Sequence, residues 1–193
     1  MLVLASQSEI RKLLLKQAGL AFDVRAANVN ERSIEARLLD EGASPAEVGL
    51  GLAKAKAIAI GDTLSIGADQ VLALGPDILH KVDSISAARD RLDLLRGMTH
   101  QLHAAVALAR RGQLIWSTVV TCSLTMRSFS EAERDRILAL EGESVLASVG
   151  AYRFEGPSVQ LFDTIEGDYF SILGLPLLPL LAALRTHAPE VFG

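Results

Sequence analysis

The chain begins with a strand that passes through a short polar turn directly into a helix, so its fold must combine the two from the start. Met1–Ala5 is an apolar run of strand length, and from Ser8 the apolar residues recur at helical spacing up to Gly19. The free backbone amides of the first helical turn, with Arg11 and Lys12 beside the positive end of the helix dipole, form a place suited to a phosphate. An ordinary capped helix with a solvated basic face is the alternative.

Beyond this junction, strand and helix patterns are mixed, and no repeat or linker divides the chain. The clearest hairpin joins two long strand patterns at Arg111-Gly112, so the sheet cannot be all parallel. Ser44-Pro45-Ala46-Glu47 is a capping box that starts the best-defined helix. We therefore predict an α/β fold, with a mixed β-sheet flanked by helices in one domain over residues 1–193.

The predicted strands after the first are Ala21–Ala26, Leu64–Leu74, Ile78–Lys81, His100–Ala109, Gln113–Met126, Ala151–Phe154 and Val159–Ile165. The predicted helices after the first are Ser44–Ala59, Ser86–Arg96, a segment from Ser130 ended by Gly142, and Pro176–Thr186. Asn28–Asp40 is predicted to be a polar connection.

Composition limits the classes of partner. With 19 basic and 23 acidic residues, the net charge is −4 and no basic run occurs, which argues against binding a nucleic-acid polymer. The single cysteine, Cys122, excludes an internal disulfide and has the apolar neighbours of a buried thiol. Ile172–Leu184 is too short and interrupted to cross a bilayer, so we interpret it as a core helix. We expect a cytoplasmic protein without a membrane segment.

Several catalytic motifs are missing from the sequence. It has no glycine-rich dinucleotide loop, Walker A loop, zincin motif or nucleophile elbow. The four histidines show no metal-ligand spacing, and structural or surface roles are predicted for them; they are His80, His100, His103 and His187.

One carboxylate interrupts an otherwise apolar strand. Asp69 lies within Leu64–Leu74, where burial of its charge is costly unless another group pairs with it. Because successive strand residues face opposite sides, Asp69 and Gln70 should have different surroundings. In the helix that starts at Ser44, Lys56 lies at the edge of the apolar stripe and can reach a cleft beside the core.

Together, the polar candidates are compatible with a polyphosphate bound with Mg²⁺, where carboxylates hold the metal or orient water. Each candidate also has an ordinary explanation as a helix cap, a solvated charge or a loop acid, and spacing alone does not establish that they converge. The set comprises Ser6, Ser8, Arg11, Glu31, Lys56, Asp69 and Lys81.

Seven short blocks, in order along nearly the whole chain, resemble those of the Maf family. The blocks are Leu4-Ala5-Ser6-Gln7-Ser8 with Arg11, Leu52-Ala53-Lys54-Ala55-Lys56-Ala57, Gly67-Ala68-Asp69-Gln70-Val71, Lys81, Leu95-Arg96-Gly97-Met98-Thr99-His100, Gly150-Ala151-Tyr152 and Gly174-Leu175-Pro176-Leu177. The resemblance implies a nucleoside triphosphate pyrophosphatase that uses a divalent metal. It also implies an elongated mixed β-sheet with two packed lobes around a deep cleft, as in inosine triphosphate pyrophosphatases, and a possible homodimer.

The resemblance also implies roles for individual residues. Asp69 corresponds to the proton acceptor, and Glu31 and Asp69 would hold Mg²⁺ or Mn²⁺. An ordinary aspartate has a pKa of about 4, so it needs either a raised pKa or a metal that acidifies water, and the metal needs fewer assumptions. The implied phosphate-binding set is Ser8, Arg11, Lys12, Lys56 and Lys81.

Three positions are implied to read the base: Ile10, Gln70 and Glu155. Gln70 and Glu155 match the family branch that hydrolyses 7-methyl-GTP better than the branch that takes dTTP and UTP. A carboxylate can accept hydrogen bonds from a guanine N1–H and amino group, and it offsets the positive charge that N7 methylation introduces. Against this assignment, Ile10 stands where the first branch has tryptophan, so a stacking partner is missing there.

The chain departs most from the family at Glu9–Lys12, where a proline and two arginines are usual. Lys12 lacks the bidentate fork of arginine, and Glu9 brings negative charge close to a phosphate. The common Lys-Pro is Lys81-Val82 here, and the common Asp-Lys is Ala147-Ser148. The rival hypothesis is therefore a nucleotide-binding regulator of septum formation with weak or no hydrolysis, although the retained Asp69 and its partners favour the enzyme.

Overall fold

The structure is a computed structural model that describes all residues, 1–193. The seven strands are Leu2–Leu4 (β1), Asp23–Val24 (β2), Leu64–Leu74 (β3), Asp77–Leu79 (β4), Thr99–Arg110 (β5), Gln113–Met126 (β6) and Phe162–Glu166 (β7). The seven α-helices are Glu9–Gln17 (α1), Glu31–Asp40 (α2), Pro45–Ala59 (α3), Ile85–Leu95 (α4), Glu131–Glu141 (α5), Tyr169–Ile172 (α6) and Leu177–His187 (α7). Short 3₁₀ segments lie at Gly142–Ala147, Pro157–Leu161 and Pro189–Phe192. No helix has the length and apolar character needed to cross a membrane.

All seven strands belong to one mixed sheet, which confirms the predicted α/β class. The strand order is β2-β1-β3-β5-β6-β7, with β4 paired to β3. β1 runs parallel to β2 and β3, whereas β3 to β5, β5 to β6 and β6 to β7 are antiparallel. The hairpin between β5 and β6 turns at Arg111-Gly112, both at positive φ. Positive φ at both central residues gives the strand twist that a two-residue hairpin needs.

Two large hydrophobic clusters pack against this sheet. One joins β1 and the start of β3 to α1 and α7, and the other joins β5 and β6 to α4 and α5. Cys122 is fully buried in the second cluster, as predicted, and burial raises the pKa of its thiol. Burial of apolar area in these clusters supplies most of the favourable free energy of folding.

Helix α3 packs unusually close to the sheet because its interface is made of small residues. A Cβ added at Gly67 of β3 would lie 2.1 Å from the Ala53 carbonyl oxygen and 2.4 Å from the Ala57 amide nitrogen. The helix begins at the predicted capping box, in which the side chains of Ser44 and Glu47 each bond the backbone of the other. The close approach fixes the distance between α3 and β3.

The prediction of a polar connection over Asn28–Asp40 is wrong, because most of this segment forms α2. The Asn30 side chain accepts a hydrogen bond from Ser33 N–H and caps the helix. Ile34 and Leu38, one helical turn apart, pack against the small cluster that contains residues of α3. This apolar pair and the cap were the sequence signals for a helix.

Further boundaries differ from the prediction near the C-terminus. The predicted strand Val159–Ile165 begins only at Phe162, because Pro157–Leu161 is a 3₁₀ segment. Ala151–Phe154 forms no strand, and Ala151 has φ of 56°, which is incompatible with extended pairing. Ile172–Leu184 is not one helix, since α6 ends at Ile172 and α7 begins at Leu177 after Gly174 at φ 95°. The predicted C-terminal helix from Pro176 is confirmed as α7.

Candidate active site

A cleft of about 910 Å³ opens where the sheet is interrupted beside β3. This strand pairs with β1 through Leu64–Ile66 and with β4 through Leu72–Leu74. Between these segments, residues 67–71 pair only with β5, so one edge of β3 is open in the middle of the sheet. Asp69 and Gln70 lie on this open segment and line the cleft.

At the centre of the cleft, one lysine joins two carboxylates. The Nζ atom of Lys56 lies 2.6 Å from Oδ1 of Asp69 and 2.8 Å from Oε2 of Glu31. The side chains of Lys56 and Asp69 are each 11% exposed, so their charges are largely shielded from water and compensate each other. Oδ2 of Asp69 makes no hydrogen bond within the chain. Lys56 thus supplies the partner without which burial of the Asp69 carboxylate would be costly.

Arg11 lies beside this group and is anchored by the backbone. Its Nε donates to the Gly174 carbonyl at 2.8 Å, and its Nη1 donates to the Ala68 carbonyl at 3.0 Å and to the Ser6 hydroxyl at 3.2 Å. These bonds leave both N–H groups of Nη2 for a ligand. Burial lowers the pKa of Arg11, while the charge of Asp69 raises it, and the guanidinium stays charged.

The start of α1 brings one of its candidates to the cleft and leaves another outside. Ser8 lines the cleft, and its side chain makes no capping hydrogen bond, so its hydroxyl is free. Lys12 does not line the cleft, because its Nζ pairs with Oε1 of Glu9 at 2.8 Å on the helix surface. The structure therefore brings together the predicted phosphate set except for Lys12.

Lys81 lines the cleft without an ion pair of its own. Partial desolvation lowers the pKa of its ammonium group, and repulsion by Arg11 and Lys56 acts in the same direction. Asp69 and Glu31 oppose this shift. Three positive and two negative side chains thus lie near one another, and the net positive charge favours an anionic ligand.

The predicted base-reading residues also reach the cleft. Gln70 faces away from the Lys56 side, and its Nε2 donates to the carbonyls of Ser171 at 3.2 Å and Ile172 at 2.9 Å. The different surroundings predicted for Asp69 and Gln70 are confirmed. Ile10 and Glu155 line the same cleft.

A buried pair of polar rings includes one residue that lines the cleft, Tyr152. Nε2 of His100 and the hydroxyl of Tyr152 are 2.8 Å apart, and both residues are buried. Burial lowers the pKa of His100 to about 4 and raises that of Tyr152. The imidazole is therefore neutral at pH 7, as a structural histidine would be.

Glu35, His80 and Arg153 line the cleft but were not among the predicted site residues. Oε1 of Glu35 and Nε2 of His80 are 3.2 Å apart, and Arg153 contacts Glu155. Recognition of α2 as a helix would have identified Glu35, because it lies four residues after Glu31 on the same face. No sequence signal marked Arg153.

Comparison with known proteins gives one family over almost the whole chain. The family described as Maf-like protein matches residues 1–187. A 7-methyl-GTP pyrophosphatase of Rhizobium meliloti is 48% identical over 189 residues, which cover 96% of this chain and 95% of the relative. A 7-methyl-GTP pyrophosphatase of Brucella abortus is 48% identical over 95% of this chain and 94% of its own. A nucleoside triphosphate pyrophosphatase of Caulobacter vibrioides is 48% identical over 95% of this chain and 94% of its own.

Proposed function

This chain belongs to the Maf family, and from that membership we propose that it hydrolyses the α–β phosphoanhydride of a nucleoside triphosphate, releasing the monophosphate and pyrophosphate. The observation that carries the proposal is the convergence of Asp69, Glu31 and Lys56 in one cleft with Arg11. A carboxylate with a free oxygen and several donors for phosphate oxygens is the equipment that phosphoryl transfer requires.

In the proposed reaction, a water oxygen bonds to the α-phosphorus as the bond to the bridging oxygen of pyrophosphate breaks. Asp69 accepts the proton of that water through Oδ2, while Lys56 holds Oδ1 and keeps the carboxylate oriented. The free N–H groups of Arg11, the Ser8 hydroxyl and the Lys81 ammonium bind phosphate oxygens and balance their charge. This balance matters most as negative charge accumulates on the leaving pyrophosphate.

The carboxylates fit a divalent cation supplied with the substrate. No three histidine, cysteine or acidic side chains form a metal-binding cluster. Glu31 and Asp69 nevertheless lie close together, each in contact with Lys56 Nζ, and Mg²⁺ commonly uses one or two carboxylates plus phosphate oxygens. Glu31 and Asp69 would hold Mg²⁺ or Mn²⁺, which would neutralise phosphate charge and acidify water.

We propose a modified guanine nucleotide resembling 7-methyl-GTP as substrate, with dTTP or UTP as the alternative. Two of the relatives carry 7-methyl-GTP in their names, and this chain has Gln70 and Glu155 at the base-reading positions. Glu155 offers acceptors for the guanine N–H groups and a charge opposite to that of a methylated ring. Ile10 supplies apolar contact in place of an aromatic ring.

The cellular setting is proposed from the single cysteine and the lack of a predicted membrane segment, and the oligomeric state from the resemblance alone. We place the reaction in the cytoplasm and expect a homodimer, which light scattering coupled to size-exclusion chromatography would test.

Pyrophosphate release from a panel of canonical and methylated nucleoside triphosphates, with Mg²⁺ or Mn²⁺, tests the function. Release with a preference for 7-methyl-GTP supports the proposal, and faster release from UTP or dTTP would select the alternative substrate. Tight nucleotide binding without release of pyrophosphate from any member of the panel would contradict hydrolysis and support the rival regulatory hypothesis.

A further inference from the structure

A buried carboxylate outside the reacting centre links α5 to the cleft wall. Glu141 is the last residue of α5, and its side chain is 0% exposed. Its Oε1 accepts hydrogen bonds from the Ser158 amide at 2.9 Å and the Ser158 hydroxyl at 2.8 Å. Its Oε2 accepts one from Nη1 of Arg153 at 3.4 Å. Because a buried carboxylate is costly without a cation, Glu141 anchors Arg153.

The same arginine contacts the carboxylate that faces the cleft. Nε of Arg153 lies 3.1 Å from Oε1 of Glu155. The guanidinium is planar, so anchoring one edge on Glu141 fixes the direction in which the other edge holds Glu155. Oε2 of Glu155 makes no hydrogen bond within the chain, and the side chain is 26% exposed. One oxygen is therefore held and the other is left for a ligand.

The backbone that carries these residues is fixed at both ends. Tyr152 is held through its hydroxyl by His100. At the other end, a Cβ added at Gly156 would lie 2.6 Å from Oε1 of Glu141, so the chain packs directly on that carboxylate. Arg153 and Glu155 thus project from a segment with little freedom to rearrange.

The charges of the three side chains leave one negative charge uncompensated. Glu141 and Glu155 share the single positive charge of Arg153, and of the two carboxylates only Glu155 lines the cleft, which Arg153 lines as well. A base with hydrogen-bond donors and a positive charge complements this arrangement better than a neutral pyrimidine does.

We propose that Arg153, anchored by Glu141, is a positioning residue that sets base preference by fixing the carboxylate of Glu155. This inference rests on the proposed nucleotide hydrolysis and extends it to residues outside the reacting centre.

The test compares kcat/KM for 7-methyl-GTP with kcat/KM for UTP. Arg153→Gln should lower this ratio by about tenfold, mainly through a higher KM for 7-methyl-GTP, because a charge-assisted contact is lost. Glu141→Gln keeps an acceptor for Ser158 but removes the charge that anchors the arginine, so it should shift the ratio in the same direction. Arg136→Gln is the matched control. Like Glu141, Arg136 links α5 to the Pro157–Leu161 segment, but it lies outside the cleft.

A double variant separates positioning from general structural damage. If Arg153 acts through Glu155, Arg153→Gln combined with Glu155→Gln should have the ratio of Glu155→Gln alone. Additive effects, or a ratio for Arg153→Gln within about twofold of the original, would overturn the inference. If Arg153→Gln does not fold, Arg153→Lys replaces it, because this variant keeps the positive charge. Arg153→Lys should also lower the ratio of kcat/KM values, and an unaltered ratio would overturn the inference. Failure of the unsubstituted protein to hydrolyse any nucleotide would instead remove the proposed function.

Discussion

Nζ of Lys56 lies 2.6 Å from Oδ1 of Asp69, although the two residues come from a helix and a strand thirteen positions apart. The pair satisfies a carboxylate that would otherwise be buried without a partner in the middle of β3. It also leaves Oδ2 of Asp69 free on the cleft side. The contact that compensates the buried charge of Asp69 therefore also orients the carboxylate that is proposed to accept the proton.

Asp69→Asn should lower the kcat of pyrophosphate release by about 10²–10⁴-fold, because the amide has the same shape but cannot accept the proton. Lys56 retains Glu31 as its partner, so the variant should remain folded. Pyrophosphate release and thermal unfolding are measured together. Asp77→Asn, at an exposed position of the adjoining β4, is the control. Undiminished turnover in Asp69→Asn would remove this residue from the mechanism.

Two neighbouring cations of α1 should behave differently. Arg11→Lys removes the fork that bonds the Gly174 and Ala68 carbonyls and is proposed to bind a phosphate, so we expect kcat/KM to fall by roughly 10- to 100-fold. Lys12→Ala removes only an exposed pair with Glu9, and kcat/KM should change by less than about threefold. Steady-state kinetics on both variants checks this contrast. Equal losses would mean that Lys12 reaches the phosphates, as its sequence position predicted.

Chelation should abolish activity, and Mg²⁺ or Mn²⁺ should restore it. Glu31→Gln should then raise the metal concentration for half-maximal activity by about tenfold, because a neutral amide is a weaker ligand than a carboxylate. Glu35→Gln, one helical turn further along α2, is the comparison variant. A metal requirement that Glu31→Gln leaves unaltered would contradict the proposed role of Glu31.

Gly67→Ala should destabilise the protein by about 2–3 kcal/mol, because the new Cβ would overlap the backbone of α3 at Ala53 and Ala57. Since α3 carries Lys56, the helix can make room only by moving Lys56 relative to β3, and activity should fall as well. Chemical denaturation and pyrophosphate release measure the two effects.

Gly49→Ala, in the same helix interface, provides the comparison. The nearest atom to its Cβ would be a side-chain methyl of Val71 at 3.3 Å, with the His103 carbonyl oxygen at an ordinary 3.6 Å, and alanine favours the helix over glycine by about 1 kcal/mol. We expect a free energy of unfolding within about 1 kcal/mol of the original. Similar losses in both variants would mean that the close approach at Gly67 has no special importance.

The sequence predicted the strands and helices whose signals are local. The capping box at Ser44, the long apolar pattern of β3 and the hairpin at Arg111-Gly112 each depend on a few adjacent residues, and each is confirmed. Helix α2 was missed because it is a surface helix without a buried residue. Only Ile34 and Leu38 pack against the core, and two apolar residues are a weak helical pattern.

The candidate site could likewise be predicted only in part from the sequence. Asp69 could be identified because a charge in an apolar strand demands a partner, whereas Arg11 and Glu31 were candidates whose roles came from the resemblance. The pairing of Lys12 with Glu9 and the link from Glu141 through Arg153 to Glu155 depend on how individual side chains pack in the folded chain. Such contacts leave no periodic pattern along the chain.

The buried pair of His100 and Tyr152 should make stability fall as the pH is lowered from about 6.5 to 4. The folded protein holds the pKa of His100 at about 4, below its usual 6.5, so within this window the unfolded chain binds a proton that the native state does not. The loss should reach about 3 kcal/mol at the acid end. His103, whose pKa burial also lowers, adds a loss of the same sign.

His100→Gln isolates this contribution, because glutamine keeps a hydrogen-bonding group near Tyr152 without titrating. The variant should be less stable at pH 7 but lose less stability between pH 6.5 and 4, as measured by chemical denaturation at several pH values. Hydrogen bonds with Ser130 and Arg127 lower the pKa of Glu133 to about 2. Glu133 therefore stabilises the native state above its unfolded pKa, and this stabilisation is lost only as the pH falls from about 4.5 to 2. That lower window separates the carboxylate effect from the histidine effect. An equal slope for both proteins between pH 6.5 and 4 would mean that His100 is protonated as readily in the native state as in the unfolded chain.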